Sequence, residues 1–412
     1  MNNKFKAIHS FKNFIIAITV LAWGSVFCSS SYSQTKILFD ATKAEEAGNA
    51  DWVIDADTHN LGFSSGPAVA GSGNESNPQR IPTPSQSGIN ASTAETYWNG
   101  ALSFWAVDCV NKGYVVETLP YNGAITYGNS SNPQDLSNYN VFVVVEPNIL
   151  FTAAEKTAIL NFVASGGGLF MVSDHTVSDR NNDGYDSPDI WNDLMQNNST
   201  GNTNPFGIVF DLQSFSQTSS NLAILPANDS ILHGPMGDVA KVLWSSGTSI
   251  TINPSANNSA KAIIYKTGVA GPSGNNNILV ATSRYGFGKI VVVGDSSPCD
   301  DGSGDSNDVL YTGYNGDVTP NHRHLLMNGT IWLAAKDARN YVFTGNGNWN
   351  VAGNWRNNII PPATLPPGDI ITIANAAGGQ CILNVTQNIS AGASLIVMAG
   401  KNLVIPGSLN MQ

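Results

Sequence analysis

A series of short, almost purely apolar runs limits what this sequence can fold into more than any other feature. The runs cover residues 36–39, 114–118, 140–145, 168–172, 262–265, 278–280 and 289–293. Between them, helical periodicity covers residues 93–111, 152–164 and 322–335. Strands that are apolar along their whole length are buried on both faces of a sheet. The pattern therefore predicts an α/β fold: a doubly wound, mostly parallel sheet with helices on both sides.

The chain changes character after residue 338, where Thr, Asn, Gly and Pro replace the long apolar runs. Only short strand-like runs remain there, spaced by about ten residues, which is typical of all-β structure. They cover residues 370–373, 381–385, 395–397 and 403–405. We therefore expect an α/β domain over residues 34–338 and a small all-β appendage over residues 339–412, built as part of a solenoid.

The first 33 residues have the composition of a signal peptide. Three Lys residues precede an apolar run over residues 14–27, and small residues follow it. The run is shorter than the ~20 residues that a membrane-spanning helix needs. We therefore predict cleavage near Ser33, a mature chain without a transmembrane segment, and a secreted or cell-surface location, the periplasm included.

The charge balance excludes some classes of partner. The chain has 19 Lys and Arg residues against 30 Asp and Glu residues, a formal net charge of −11. No segment concentrates Lys or Arg, so nucleic acids and anionic membranes are poor partners. Cations and extracellular polymers such as glycans are better ones. The widely spaced Cys109, Cys299 and Cys381 do not have the pattern of a structural zinc site.

Acidic residues directly follow several of the predicted strands. In a parallel sheet the carboxyl ends of the strands meet at one edge, and ligands bind there. Crowded carboxylates need protons or a metal ion to neutralise them. We expect a divalent metal ion at this edge, with zinc or manganese as candidates. The expected ligands and acid–base groups are Asp40, Glu146, Asp174, His175 and Asp295.

The segment after residue 178 has the pattern that begins a calcium-binding loop. Asp179, Asn181 and Asp183 supply oxygen atoms at alternate positions, and Gly184 follows for the sharp turn. The Glu expected at the end of such a loop is absent, so a nearby carboxylate such as Asp186 has to replace it. The pattern predicts a calcium ion, with an ion-free turn rich in Asn and Asp as the alternative.

A nucleophile is also predicted at this edge. Ser173 stands at a strand-to-helix junction, where related folds present a nucleophile, and His175 is two residues away. Small residues do not flank Ser173, so the Gly-x-Ser-x-Gly pattern of serine hydrolases is absent. A metal-bound water is therefore the better nucleophile, with Asp174 and His175 as ligands or acid–base groups. The predicted substrate-binding residues are His59, Trp191 and His322.

Several segments of the α/β region together resemble one family. They cover residues 140–146, 151–156, 166–175, 229–235 and 286–296. In these segments the chain is similar to class I glutamine-amidotransferase-like domains, in particular the branch shared by gliding-motility transporter accessory proteins and intraflagellar-transport proteins. The resemblance implies a flavodoxin- or amidotransferase-like fold. Ser173 and Asp295 stand where amidotransferases have their nucleophilic Cys and their His, so it implies a binding domain rather than an amidotransferase.

Three functions are consistent with these features. The leading hypothesis is a secreted, metal-dependent hydrolase that acts on an extracellular polysaccharide or ester. The second is a noncatalytic carbohydrate- or surface-binding protein that calcium stabilises, and the third is an esterase that uses Ser173. The C-terminal tail resembles those of secreted proteins from gliding bacteria, which implies a surface or extracellular location.

Overall fold

The computed structural model describes residues 34–48, 50–55, 86–219, 221–223, 225–269, 274–304, 311, 313–316 and 321–412. The predicted signal peptide and His59 lie outside the described residues. None of the helices in the described ranges is both long enough and apolar enough to cross a membrane. From Thr35 to Gln412 the described residues pack as one unit.

The α/β part contains fourteen described strands and five helices. The strands are β1 Lys36–Asp40, β2 Val115–Leu119, β3 Val141–Val145, β4 Gly168–Val172, β5 Ile208–Phe210, β6 Phe215–Ser219, β7 Asn221–Leu222, β8 His233–Gly234, β9 Gly237–Asp238, β10 Val242–Gly247, β11 Ile250–Ile252, β12 Lys261–Tyr265, β13 Ile278–Tyr285 and β14 Gly288–Val293. The helices are α1 Ser103–Asn111, α2 Ala153–Ala164, α3 Ser187–Gln196, α4 Gly313–Gly316 and α5 Asn321–Ala334.

One ten-stranded sheet forms the centre of this part. Five of its strands are parallel, in the order β2-β1-β3-β4-β14. Beyond β14 the pairing becomes antiparallel, first with β13 and then with β11 and β12, and the short strands β5 and β7 complete the sheet. The sheet is therefore mixed. Five of the seven predicted apolar runs form its parallel half, while the runs over residues 262–265 and 278–280 belong to the antiparallel strands β12 and β13.

Helices cover both faces of the parallel half. Successive residues of a strand point to opposite faces. On one face, Ile37 and Phe170 pack in a cluster with residues of α1 and α5. On the other face, Leu38 and Met171 pack in a second cluster with residues of α2 and α3. This two-sided burial explains why the strands are apolar throughout, and it confirms the predicted α/β class.

The first predicted helix is shorter than its periodicity suggests. The pattern covers residues 93–111, whereas α1 begins only at Ser103. Trp98 has an extended backbone, and a Cβ atom on Gly100 would lie 2.3 Å from the carbonyl oxygen of Val53. The chain therefore has to pass close against another backbone segment before the helix begins, and a helical turn does not fit there.

The residues after 338 form three coils of a β-solenoid. Their strands are β15 Asn340–Phe343, β16 Gly347–Asn348, β17 Thr364–Leu365, β18 Ile370–Ile373, β19 Cys381–Ile382, β20 Thr386–Ile389, β21 Ser394–Val397, β22 Leu403–Val404 and β23 Ser408–Met411. They pair in parallel as β15-β18-β21, β16-β19-β22 and β17-β20-β23, so every coil contributes one strand to each of three sheets. The four runs that the sequence pattern singled out correspond to β18, β19, β21 and β22, whereas β15, β16, β17, β20 and β23 were missed, most of them because they are short or largely polar. The parallel stacking of short strands is that of a solenoid.

Candidate functional site

Four neighbouring strands end at the same edge of the sheet. Strands β1, β3, β4 and β14 are adjacent and parallel, so their carboxyl ends lie side by side. Asp40 ends β1, while Glu146, Asp174 and Asp295 come just after β3, β4 and β14. All four side chains are buried. The structure thus brings the predicted carboxylates to one edge. Among the described residues, however, they do not form a group of three ligands that could hold a metal ion.

Arg180 lies between two of these carboxylates. Its Nε atom is 2.5 Å from Glu146 Oε1, and its Nη2 atom is 3.2 Å from Asp174 Oδ2. Burial lowers the pKa of the guanidinium, but the two carboxylates outweigh this and raise it above its ordinary value. Arg180 therefore stays charged and has the neutralising role that the sequence analysis gave to a metal ion. We call Glu146, Asp174, Arg180 and Asp295 the rim cluster.

Glu146 is held in a strained backbone conformation. Its φ angle of 47° lies in the left-handed region, which costs a residue other than glycine about 1–3 kcal/mol. Its N–H donates to the Val172 carbonyl over 3.0 Å, and Ser296 Oγ donates to Glu146 Oε2 over 2.9 Å. The side chain has no exposed surface. Such strain persists where surrounding contacts enforce it, which is typical of functional sites.

Asp174 carries a buried oxygen, Oδ1, that has no hydrogen-bond partner among the described residues. Burial raises the pKa of this carboxyl group well above its usual range, repulsion from Glu146 and Asp295 adds to the rise, and Arg180 opposes it. The raised pKa favours the protonated form of Asp174, and Arg180 lies closer to Glu146 than to Asp174, at 2.5 Å against 3.2 Å. The two carboxyl groups are therefore suited to opposite roles, as acid and as base.

Ser173 and His175 do not form a nucleophile–base pair. The Ser173 hydroxyl is buried and makes hydrogen bonds to the Asp174 carbonyl and to Ser187 Oγ, at 3.4 and 3.3 Å. The Nδ1 atom of His175 hydrogen-bonds the Thr176 carbonyl, and its Nε2 atom is 3.8 Å from Asp174 Oδ2. Within the described ranges Ser173 has no general base at hydrogen-bond distance, so the geometry does not support the esterase hypothesis.

Asp295 is held by backbone donors. The N–H of Ser245 donates to Oδ2 over 2.6 Å, and the N–H of Ser297 donates to Oδ1 over 2.8 Å. Burial nevertheless dominates and raises the pKa of Asp295 to about 7. This group therefore titrates near neutral pH, close to two other carboxyl groups of the rim cluster.

We expect the protein to lose stability as the pH rises from about 4 to about 7. Burial raises the pKa of Asp295 and Asp301 to about 7 and that of Asp40 to about 6, compared with about 3.9 in an unfolded chain. At a pH between the unfolded pKa and the raised folded pKa, each of these groups keeps a proton in the folded state that it has lost in the unfolded state. Each group then weakens folding by up to about 1.4 kcal/mol per pH unit.

Melting temperatures between pH 5 and pH 8 test this expectation. The Asp295→Asn variant should show a flatter decrease than the natural protein, because one of the titrating groups is gone. Lys241 is an exposed charge away from these carboxyl groups, so the Lys241→Gln variant is a control that should keep the full slope. A melting temperature that rises over this range would contradict the expectation.

A second acidic group follows β1, and the sequence analysis identified only its first member. Asp40 Oδ2 and Glu45 Oε1 are both buried without a hydrogen-bond partner among the described residues. Lys43 Nζ is 2.6 Å from Glu155 Oε1 on α2, and Asn148 N–H donates to the Lys43 carbonyl over 2.7 Å. The loop after β1 is thus attached to the loop after β3. The signal in the sequence was the pair of consecutive Glu residues, Glu45 and Glu46, five and six positions after the end of β1.

The predicted calcium loop is folded by its own backbone donors. Asp179 accepts the N–H groups of Asp183 and Gly184, at 3.0 and 2.8 Å. Asn181 Nδ2 donates to Asp183 Oδ2, and Asp186 accepts two backbone N–H groups from the segment before the loop. In the described part of the chain, no group of three or more His, Cys, Asp or Glu side chains is placed to hold a metal ion. The geometry therefore resembles the ion-free alternative.

Two of the predicted substrate-binding residues lie in the interior. Trp191, on α3, has no exposed surface, and its indole N–H donates to the Val172 carbonyl over 3.0 Å. His322, on α5, is also buried; its Nε2 atom accepts the Leu243 N–H, and its Nδ1 atom donates to the Gly313 carbonyl. These contacts give both side chains packing and hydrogen-bonding roles. The third residue, His59, lies outside the described residues.

No family model and no curated protein matches this chain. Some solved structures are similar to it at a low level. The mmIFT52 N-terminal domain is 17% identical, over 61% of this chain and 98% of that domain, with a TM-score of 0.40. Cytoplasmic protein STM3548 from Salmonella typhimurium is 14% identical, over 57% and 87%, with a TM-score of 0.36. Exo-β-1,4-mannosidase Op5Man5 from Opitutaceae bacterium strain TAV5 is 12% identical, over 80% and 40%, with a TM-score of 0.32. At these TM-scores no property of those proteins is transferred to this chain.

Proposed function

We propose that this chain is a secreted hydrolase that acts on an extracellular polysaccharide or ester at the rim cluster. The proposal is carried by one observation: two buried carboxyl groups share Arg180 but have different environments. Arg180 contacts Glu146 over 2.5 Å and Asp174 over the longer distance of 3.2 Å, and burial raises the pKa of Asp174. A pair of this kind supplies a general base and a general acid in one site. Secretion rests on the signal-peptide pattern of the first 33 residues.

In the proposed reaction, Asp174 donates its proton to the oxygen of the leaving group while Glu146 accepts a proton from the attacking water. The water oxygen forms a bond to the acyl or anomeric carbon, and the bond from this carbon to the leaving oxygen breaks. Transfer of the proton from Glu146 back to Asp174 restores both groups.

The strand order supports the position of this site. The order β2-β1-β3-β4-β14 is that of doubly wound sheets of the flavodoxin type, in which ligands bind outside the carboxyl ends of the strands. We propose that the α/β part has this doubly wound fold and is related to the amidotransferase-like domains that the sequence resembles. Ser173 stands at the nucleophile position of those domains, but its hydrogen bonds support a structural role here.

A metal ion has no step in this mechanism. The described side chains at the rim do not fit a metal site, because they form no three-ligand group and because Arg180 already neutralises two of the carboxylates. The predicted zinc or manganese ion at the rim and the predicted calcium ion near Asp179 stay predictions. Metal analysis of the purified protein by mass spectrometry tests both of them.

Replacement of Asp174 by Asn should lower hydrolysis of the best substrate by about a hundredfold or more, because the acid is lost. Asn has the same shape and no charge, so it replaces a protonated Asp with little change in stability. Turnover on a panel of polysaccharides and esters, measured together with the melting temperature, tests this. Asp238→Asn, which changes an exposed carboxyl group, is the matched control and should keep full activity.

Removal of metal ions by a chelator distinguishes a metal-dependent hydrolase from one that needs no metal ion. If hydrolysis continues after dialysis against EDTA, the result supports the mechanism in which Arg180 neutralises the carboxylates. If hydrolysis is lost and returns when zinc or manganese is added, the metal-dependent mechanism is correct instead. An Asp174→Asn variant that hydrolyses the substrate at the natural rate would remove the rim cluster as the site.

A noncatalytic glycan- or surface-binding protein is the second candidate. The burial of the rim favours it, since Glu146, Ser173 and Asp295 have no exposed surface through which a substrate could reach them. In this case the ion pairs of Arg180 only stabilise the fold. Binding to a glycan panel without turnover on any member of it would support this candidate over the hydrolase.

A further inference from the structure

A polar groove lies at the edge of the sheet opposite to the rim cluster. Arg284, near the end of β13, pairs with Lys289 at the beginning of β14. Since the rim cluster follows the carboxyl end of β14, this position is at the other end of the strand. Two clefts of about 490 and 550 Å³ meet here, and Arg284 and Ser259 line both of them. The two clefts thus adjoin at Ser259 and Arg284, and we call them together the groove.

Cationic side chains are concentrated at this groove. The guanidinium of Arg284 is 46% exposed and lies 5.5 Å from the centre of the Trp332 ring. Lys289 Nζ lies 5.3 Å from the same ring. Both cations share one carboxylate, Asp337, at 2.6 and 3.0 Å. Lys289 is buried and lines neither cleft, so of these charges only the guanidinium of Arg284 is accessible to a ligand in the groove.

A third cation extends the positive surface along the first cleft. Lys261, at the beginning of β12, is exposed and lines this cleft. No ion pair involves Lys261 within the part of the chain that the structure describes. The acidic residue of this cleft is Asp229. Its Oδ1 atom accepts hydrogen bonds from the N–H groups of Ile231 and Leu232, both at 2.9 Å. These donors stabilise the carboxylate, so Asp229 contributes one negative charge to this cleft beside Lys261.

The remaining lining consists mainly of small polar side chains. Asn228 and Ser230 lie in the first cleft, Ser255 and Asn258 lie in the second, and Tyr285 adds a partly exposed aromatic ring. Amides and hydroxyls can both donate to and accept from sugar hydroxyl groups. A guanidinium binds a carboxylate through two parallel hydrogen bonds, and Arg284 has donors beyond the one that contacts Asp337.

We propose that this groove binds a chain of acidic sugars, with uronate carboxylates at Arg284 and Lys261 and sugar hydroxyls at the amides. The length of two joined clefts suits several consecutive sugar units. The net charge of −11 repels any polyanion at a distance, so the local contacts at Arg284 and Lys261 have to carry the interaction. The lining of small hydroxyl and amide side chains favours a sugar chain over a nucleic acid. The site is separate from the rim cluster and binds its ligand whether or not the rim is catalytic.

Calorimetric titration of the full chain with oligogalacturonate tests the proposal. Arg284→Gln should weaken binding about tenfold, because it removes a charged, bidentate donor. Lys261→Gln should weaken it less, and the double variant should weaken it more than either. Lys241 is exposed and does not line the groove, so Lys241→Gln is the matched control and should bind within about twofold of the natural chain. Raising the salt concentration should also weaken binding, because exposed charges are screened.

Several results would overturn the proposal. These are the absence of oligogalacturonate binding, equal binding of a neutral mannan oligomer, and unchanged binding by the double variant. Stronger binding of a single-stranded DNA oligomer would assign the groove to a nucleic acid instead. Melting temperatures check that the variants fold. Asp174→Asn should bind oligogalacturonate normally, so a failure of the hydrolase proposal and a failure of this one are distinguishable.

Discussion

Replacement of Arg180 by Met is expected to lower the free energy of unfolding by about 3–5 kcal/mol at neutral pH. The guanidinium lies between Glu146 and Asp174, and both carboxyl groups are almost completely buried. Met fills a similar volume but has no charge. The variant therefore leaves a buried carboxylate without its counterion, which costs much more than the loss of an exposed ion pair.

Arg284→Met is the matched control for this variant. Arg284 also forms an ion pair, but both partners are nearly half exposed, so its loss should cost at most about 1 kcal/mol. Denaturant unfolding of the natural chain and the two variants gives the three values. A loss below about 1 kcal/mol for Arg180→Met would show that the rim carboxyl groups do not depend on this cation.

The pH dependence of the stability of the Arg180→Met variant provides a second, independent test of the role of Arg180. Arg180 lowers the pKa of Asp174, so without the cation that pKa rises further in the folded state but not in the unfolded chain. The folded variant then binds protons that the unfolded chain does not bind, so its stability increases as the pH falls. The difference in the free energy of unfolding between the natural chain and the variant should therefore be smaller at pH 5 than at pH 8.

Replacement of Trp191 by Ala is expected to cost about 3–5 kcal/mol of unfolding free energy. The side chain has no exposed surface, and its ring centre is 5.4 Å from that of Phe151. Its indole N–H donates to the Val172 carbonyl, which also accepts the N–H of Glu146. The substitution therefore leaves a cavity beside the strand that positions the rim cluster, and hydrolysis should decrease together with stability.

Two further variants separate the contributions of Trp191. Trp191→Phe keeps most of the apolar volume but loses the hydrogen bond, so it should cost clearly less than Trp191→Ala. Trp332→Ala removes a partly exposed ring and should also cost less. If Trp191→Ala folds as stably as the natural chain but loses affinity for a glycan, then Trp191 is a ligand-binding residue, as the sequence analysis predicted, and its burial is not its main role.

The sequence predicted the central strands well because their signal is local. A run such as Val141–Val145 has to be buried on both faces, and few structures other than a covered sheet achieve this. The start of α1 could not be predicted in this way. The close approach of Gly100 to Val53 depends on a contact between distant parts of the chain.

The same difference applies to the candidate site. Glu146, Asp174 and Asp295 were found because each follows a recognisable strand and parallel strands end together. Arg180 was missed because it lies inside a segment that has the pattern of a calcium loop. Its contact with Glu146 spans 34 residues of sequence, and no local pattern shows which way a loop side chain points.

The sequence by itself determined the elements whose burial is dictated by their own residues: the parallel strands, the helices between them and the short strands of the solenoid. It also determined which carboxyl groups reach the common edge, since strand direction settles this. Only the tertiary structure decided what neutralises them, and it placed Arg180 between Glu146 and Asp174. It also turned Trp191 inward and joined Lys261, Arg284 and Trp332 in one groove. The physical reason is that charge pairing and side-chain burial depend on distances between segments that are remote in sequence. The spacing of residues along the chain does not determine these distances.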